Sequence, residues 1–360
     1  MRIIDLLSFQ NGINGTPEQY GKGIKYISVG DILNNDYITY DKIAGSIDIN
    51  QETLKNYSVT YGDILFQRSS EIKEDIGRTN VYLDKDHTAT FGGFVIRGKK
   101  IGDYNPTFFN YLLKSPSSRQ SIVRLGAGAQ HYNIGQENIK TLNFYFPDEE
   151  EQQKIASLFS IIDERIQTQI KIIRVLESQK KELSNILFNK YCKDSSYYPL
   201  EDIVSSESIK DFQIQTKDYL PNGKFEVVDQ GKKEIIGYSD NSNKLYTKVP
   251  VIVYGDHTTI IKYREIPFIV GGDGVKLLKA KTGFLQKYIY YAVCQFNISS
   301  EGYKRHWNML KNVLIPIPNY ETQKIIIDTL DSFTKKIKNE EALLEKYRLQ
   351  KQFLLNNLFI

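Results

Sequence analysis

Along residues 147–192, and again along 318–360, apolar side chains return every three or four positions. The first run sets Ile155, Phe159, Ile162, Ile166, Ile170, Ile173, Leu176, Leu183 and Leu187 on one stripe. The second sets Ile326, Leu330, Phe333, Ile337, Leu344, Tyr347, Leu354 and Leu358 on another. This spacing predicts two amphipathic helices with a coiled-coil-like seam. At 1.5 Å per residue each helix is about 60 Å long, far more than one globule needs to cover its core. Asp148 and Asn319, each directly behind a proline, are the expected N-caps, and Glu151 completes a capping-box spacing in the first copy.

The two runs are copies of one another. Placing Pro147 on Pro318, an offset of 171 residues, carries Glu150 onto Glu321, Gln152 onto Gln323 and Ile166 onto Ile337 without a gap. Further on it carries Gln179, Lys180, Leu183 and Phe188 onto Gln350, Lys351, Leu354 and Phe359. Ile170 departs, facing Glu341, and the two matched lysines interrupt the stripe where their stems can cover it. Ahead of each helix, "IKTLNFYFP" (139–147) aligns with "LKNVLIPIP" (310–318), and the alternation there predicts a strand.

The remaining segments are β-rich. Short runs such as "GIKYISVGDI" (23–32), "YGDILFQRSS" (61–70) and "KVPVIVYGDH" (248–257) are broken by Gly, Asn and Asp turns. The predicted organisation is α+β: a globule over 1–146, a helix over 147–192, a second globule over 193–317 and a second helix over 318–360. The globules share little sequence, whereas the helices match. One short word does recur: His131-Tyr132-Asn133-Ile134 returns as His306-Trp307-Asn308-Met309, taking in two of the four histidines and the sole tryptophan. With Gln136 three residues after Asn133, both asparagines read as N-caps of short helices. Each His–aromatic pair then sits just before a cap.

Composition changes this picture little. The chain is 41% apolar and 25% charged, as expected of a globular protein. It has no run of eighteen apolar residues, and "MRIIDLLSFQNG" lacks the features of a signal peptide. With only two cysteines, Cys192 and Cys294, the sequence predicts a reducing cytoplasm and no membrane association. A net charge of +4 supports nucleic-acid binding only weakly.

No constellation of catalytic residues emerges. The ten prolines are never adjacent, which excludes the Asp/Asn-Pro-Pro-aromatic motif of an amino-methyltransferase. "GGDGVK" (271–276) has glycines but not Walker A spacing, and Gly126 and Gly128 read as a turn. Asp63 followed by Glu71-Ile72-Lys73 could in principle hold Mg²⁺, but so short a pattern arises by chance, and Asp63 after Gly62 reads as a turn residue. The histidines at 87, 131, 257 and 306 have no metal-ligand spacing.

The layout resembles the specificity subunit of type I restriction–modification systems. The resemblance spans the whole chain and rests on five features: the helix starts Pro147/Glu150/Gln152 and Pro318/Glu321/Gln323, "GDILFQRSS" (62–70), "FGGFVIR" (91–97), the LxxLxIPxP-like run before each helix, and the order globule–helix–globule–helix. The second copy reads Glu321-Thr322-Gln323 where the first keeps Glu151-Gln152 adjacent, and the second globule has no "GDILF" segment. The resemblance implies two target-recognition domains, each reading half of a bipartite site in double-stranded DNA. It implies helices paired antiparallel as a spacer, with two methyltransferase subunits and restriction subunits as partners. It also implies no cofactor in this chain, with S-adenosylmethionine, ATP and Mg²⁺ on those partners, and no catalysis by the chain itself. On this reading Glu150, Gln152, Glu321 and Gln323 are candidate partner contacts.

Base readout needs paired donors or acceptors, and phosphate contact needs cations and hydroxyls. The candidates in the first globule are Gln67, Arg68, Ser69 and Ser70, with Arg124, Gln130, His131 and Tyr132. An ion pair with Glu71 or Glu74 is an equally good use of Arg68. In the second globule "YKRHWN" (303–308) interleaves basic and aromatic residues and offers Lys304, Arg305, His306 and Trp307, with His257, Thr258 and Lys262 behind them. Trp307 serves equally well as a core residue. Two further readings stay open at this point: a coiled-coil adaptor whose globules bind protein, and, more remotely, an autonomous nuclease.

Overall fold

A computed structural model of the chain describes residues 2–302 and 304–359. The apolar stripes become two long helices, Glu149–Tyr191 and Tyr320–Asn357. Their starts follow from the sequence: Asp148 Oδ1 accepts from the Glu151 amide at 3.0 Å, and Asn319 Oδ1 accepts from the Thr322 amide at 2.9 Å. Three glutamates in the first turn of the first helix suit the positive end of its dipole. Every stripe residue of the first copy is buried or half-buried. In the second copy Leu358 is the exception at 41% exposed, because the helix ends at Asn357 and the chain turns Phe359 inward instead.

The chain divides into two compact units. Unit 1 holds residues 1–170 with 342–360, and unit 2 holds 171–341. Each unit therefore contains one globule, the start of one long helix and the end of the other. In unit 1 the Phe159 ring stacks on Phe359 at 5.7 Å and on Tyr111 at 4.6 Å. In unit 2 Leu187 and Phe188 share a core with Ile326 and Leu330. Starts thus meet ends within each unit, which is antiparallel pairing.

In unit 1 the strands are β1 (Leu7–Asn11), β2 (Tyr20–Ile27), β3 (Gly45–Ile47), β4 (Ile64–Gln67), β5 (Ser69–Ser70), β6 (Thr79–Val81), β7 (Thr90–Phe91), β8 (Val95–Lys100) and β9 (Tyr132–Asn133). They form an antiparallel sheet β1-β8-β4-β6, a sheet β3-β2-β7 whose β2 and β7 run parallel, and the pair β5-β9. In unit 2 they are β10 (Ser196–Pro199), β11 (Val204–Glu207), β12 (Gln213–Ile214), β13 (Phe225–Val228), β14 (Gly237–Ser239), β15 (Leu245–Tyr246), β16 (Val251–Gly255), β17 (Ile261–Arg264), β18 (Phe268–Gly271), β19 (Val275–Ala280) and β20 (Leu314–Ile317). The main antiparallel sheet there is β11-β19-β16-β17. A second sheet runs β12-β18-β13-β14, with β13 parallel to β18 and β15 also pairing β18, and β10 pairs with β20.

The two globules, unlike in sequence, share this wiring. The order β1-β8-β4-β6 corresponds to β11-β19-β16-β17, and parallel β2/β7 corresponds to parallel β13/β18. The missing "GDILF" segment of the second globule is filled by β16. Both central strands are buried on both faces. Ile64 and Phe66 enter one core and Leu65 another, just as Ile252 and Tyr254 part from Val251 and Val253. A strand covered on both faces reads as a continuous apolar run rather than an alternating one. The run "GIKYISVGDI" does not stay extended: Ser28 and Asp31 close a capping box and start a short helix, Val29–Asn34.

Candidate nucleic-acid interface

In unit 1 the candidate surface is built where β4 ends. Gln67 is 5% exposed and turns inward, its Nε2 donating to the Ser69 carbonyl at 2.9 Å, so it shapes the bend instead of facing outward. Arg68 is exposed. It binds neither Glu71 nor Glu74 but donates from Nη1 to the Gly93 carbonyl at 3.3 Å, and its amide donates to the Phe94 carbonyl at 2.9 Å. Ser69 Oγ donates to Asn133 Oδ1 at 2.7 Å across the β5-β9 pair, which also aligns Ser70 with Tyr132. Arg124, Gln130 and His131 are exposed on the loop that leads into β9. Six of the predicted residues, Arg68, Ser69, Ser70, Gln130, His131 and Tyr132, thus lie on or beside one two-stranded patch.

Asn133 is not the helix cap that the sequence suggested. Its backbone exchanges hydrogen bonds with Ala127, which holds it extended, and Gly135 takes the cap position of the short helix Gln136–Ile139. In the second copy His306, not Asn308, precedes the short helix Trp307–Leu310.

In unit 2 the hub is Asp256, which is 4% exposed. Its Oδ1 accepts from the Trp307 amide at 2.7 Å and its carbonyl from the His306 amide at 2.7 Å. His306 is fully buried, with Nδ1 3.0 Å from the Asp256 carbonyl and Nε2 accepting from the Glu301 amide at 3.1 Å. It holds a loop in place and cannot reach a ligand. Trp307 is half-buried, with its ring centroid 6.5 Å from that of Tyr254. Lys262 does not face a ligand either: at 2% exposed, it spends its ammonium on the Asp229 and Lys233 carbonyls, and burial pushes its pKa down against the opposing pull of Asp229.

His257, Thr258, Lys304 and Arg305 remain accessible or half-accessible. The His257 ring lies 3.2 Å from the Lys304 carbonyl, and Gln230 receives the His257 amide at 3.1 Å and accepts from the Thr258 hydroxyl at its carbonyl. Thr259 sits at φ 58°, a left-handed conformation costly for a β-branched residue and tolerated where the surroundings over-determine the turn. Arg305 borders a cleft of about 340 Å³ with Lys210, Gln213, Asp256, Asp273 and Lys276. Tyr303, the first residue of the "YKRHWN" run, lies outside the described residues.

The predicted partner contacts separate by exposure. Glu150 is exposed and pairs with Lys154 at 2.8 Å, and Glu321 is exposed. Gln152 and Gln323 are 3% and 5% exposed, and their Nε2 atoms donate to the carbonyls of Pro147 and Pro318, both at 2.9 Å. Gln152 Oε1 also accepts from the Asn105 amide at 3.0 Å. These glutamines brace the helix starts from within. Asp63 is equally internal, accepting from the Thr60 and Lys100 amides, both at 2.9 Å, so its place is a turn and not a metal site. Among the described residues no group of three His, Cys, Asp or Glu is placed to hold a metal, and no helix is long and apolar enough to cross a membrane.

The sequence reading missed the bend between β7 and β8 (Gly92–Phe94) and its counterpart between β18 and β19 (Gly272–Asp273–Gly274). The signal was present: the only two Gly-Gly pairs of the chain, Gly92–Gly93 and Gly271–Gly272, fall at these bends. Gln230, which organises the second patch, carried no signal in the linear sequence.

The family model for the type I restriction modification DNA specificity domain matches residues 12–178 and 193–346. The chain is 25% identical over 355 residues to a putative type I restriction enzyme MjaX specificity subunit of Methanocaldococcus jannaschii, covering 89% of this chain and 81% of that one. It is 28% identical over 154 residues to the EcoR124I/EcoR124II specificity subunit of Escherichia coli, covering 38% of each. A crystal structure of a type I S subunit from M. genitalium shares the fold, with TM-score 0.59 at 17% identity, covering 100% of this chain and 95% of that one. The wiring of the two globules, the duplicated helices and the family match over most of the chain agree: the protein belongs to the type I restriction–modification DNA specificity family.

Proposed function

We propose that the chain is the DNA-reading scaffold of a type I restriction–modification complex, with each globule contacting one half of a bipartite double-stranded site. The long helices set the distance between the halves. Two methyltransferase subunits dock on the helical region, where Glu150 and Glu321 are the exposed candidates, and restriction subunits join them. S-adenosylmethionine, ATP and Mg²⁺ are placed on those partners, and the complex works in the cytoplasm.

The observation that carries this reading is a shared scaffold with unlike loops. The two globules have equivalent sheets, yet where β4 ends in Arg68-Ser69-Ser70, β16 ends in Asp256-His257-Thr258. A binder of two copies of one ligand needs like loops, whereas a reader of two different half-sites needs unlike ones. Exposed Arg68, Arg124, Lys304 and Arg305 suit phosphate or guanine contact, and the amides and hydroxyls beside them suit base edges.

The test is to express the chain with its methyltransferase subunit and map methylated bases in the host genome. A single two-part motif that disappears when the chain is deleted supports the proposal. Co-purification without any chain-dependent motif removes it and favours a protein-binding adaptor.

A further inference from the structure

The first unit displays one aromatic ring in an unusual setting. Phe94 is 66% exposed, yet it stands on a tightly constrained bend. A Cβ on Gly12 would lie 2.2 Å from the Gly92 carbonyl oxygen, one on Gly92 would lie 2.4 Å from the Tyr26 hydroxyl, and one on Gly93 would lie 2.3 Å from Asn14 Oδ1. The bend therefore has backbone packed directly on it at Gly12, and the Tyr26 and Asn14 side chains close over Gly92 and Gly93. It is also tied down by hydrogen bonds from the Arg68 amide to the Phe94 carbonyl (2.9 Å), from Arg68 Nη1 to the Gly93 carbonyl (3.3 Å) and from the Gly92 amide to the Ile27 carbonyl (3.0 Å). A large apolar ring left in water gains nothing for folding. With the backbone beneath it already fixed, covering it costs only the freedom of the ring itself.

We propose that Phe94 contacts a base, its ring packing in the major groove against the C5-methyl of a thymine in the half-site that the first globule reads. This inference rests on the function proposed above. Its neighbours match the chemistry of the groove: exposed Arg68 pairs with guanine edges, exposed Asn14 with adenine edges, and an apolar ring with the methyl that distinguishes thymine.

The second globule supplies an internal comparison. There the Asp256 amide donates to the Gly274 carbonyl at 2.6 Å, the counterpart of Arg68 donating to Phe94. Gly274 carries no side chain and sits at φ 78°, where one would be strained, with the His257 and Gln230 side chains closing over it. At this position of the bend the apolar side chain is therefore present in the first globule alone.

The experiment uses the chain assembled with its methyltransferase subunits, as wild type and as Phe94→Ala, on duplexes carrying the genomic motif. Each thymine of the half-site read by residues 1–146 is replaced in turn by uracil, which lacks only the methyl. Wild type is expected to lose binding, on the order of several-fold, at one position. Phe94→Ala is expected to be indifferent to the methyl there while keeping its unfolding midpoint and its preference in the other half. A half-site without thymine, or uracil sensitivity that survives Phe94→Ala, overturns the inference alone. Loss of binding by Phe94→Ala equally on every sequence also overturns it and assigns the ring to a protein contact. A wild-type complex with no two-part motif takes down the functional reading and this inference together.

Discussion

Tyr111 donates a 2.7 Å hydrogen bond to Asp163, with Ser160 as a second partner of the same hydroxyl, and so ties the first globule to the first long helix. In unit 2 Tyr291 does the same with Asp331 and Thr334. At the offset of 171, Ser160 corresponds to Asp331 and Asp163 to Thr334, so the carboxylate and the hydroxyl have exchanged places while the bonding survives. The matched lysines complete each arrangement. Lys351 stands 5.6 Å from the Tyr111 ring and pairs with Asp163, and Lys180 stands 5.7 Å from the Tyr291 ring. What interrupts the apolar stripe is thus a clamp in each unit.

From this geometry, Asp163→Ala takes the carboxylate from the Lys351 ammonium and leaves the Tyr111 hydroxyl with Ser160 alone, and its expected cost is about 2 kcal/mol. Tyr111→Phe leaves the Asp163–Lys351 pair intact and costs about 1 kcal/mol. Urea unfolding of the intact chain checks both, and the double variant is expected to lose less than the sum.

Gln152→Ala removes the brace on the Pro147 carbonyl and leaves the half-buried Asn105 amide without its acceptor, with an expected loss of about 1–2 kcal/mol. Glu150→Ala, whose partner Lys154 is exposed, is expected to change stability by less than about 0.5 kcal/mol. If Glu150 is a docking residue, the same variant weakens methyltransferase co-purification. Comparing thermal unfolding with pull-down yield therefore separates the inner residue from the outer one.

Asp256→Ala removes the acceptor of the Trp307 amide and so loosens the end of the loop that carries Lys304 to Trp307, while the backbone carbonyl that anchors His306 remains. Hydrogen exchange at the Trp307 amide is expected to rise by at least tenfold, matching the loss of a buried charge-assisted bond worth about 2 kcal/mol. The altered methylation motif should be confined to one half-site.

Burial lowers the Lys114 pKa to about 8, against the pull of Asp36. The unfolded chain holds that proton to about pH 10.4, so the folded state binds fewer protons between these values and stability contributed by this group rises with pH across them. Lys114→Met removes the contribution. The unfolding midpoint of wild type relative to the variant is expected to climb from pH 8 to pH 10, and a constant difference contradicts the assignment.

The helices were legible in the sequence because their information is local: spacing, caps and an ungapped repeat. Leu358 failed only because a helix end is decided by what Phe359 finds to bury. The kinship of the globules was hidden because β4 and β16 are covered on both faces, and that burial constrains them to be apolar without fixing which residues they use. Site residues were legible as chemistry but not as direction. His306 and Lys262 have the right groups for DNA and spend them on backbone carbonyls and amides, whereas Phe94 has no polar group and is the side chain held outward. Direction depends on bends set by contacts such as Gly12 with Gly92, eighty residues apart in the chain.

The most direct measurement exchanges residues 1–146 for the corresponding globule of a relative with a known two-part motif, then maps methylated bases in cells expressing the hybrid with its methyltransferase subunit. One half-site should change to that of the donor, with the other half and the spacing retained. A motif in which both halves change, or neither does, contradicts the claim that each globule reads its own half.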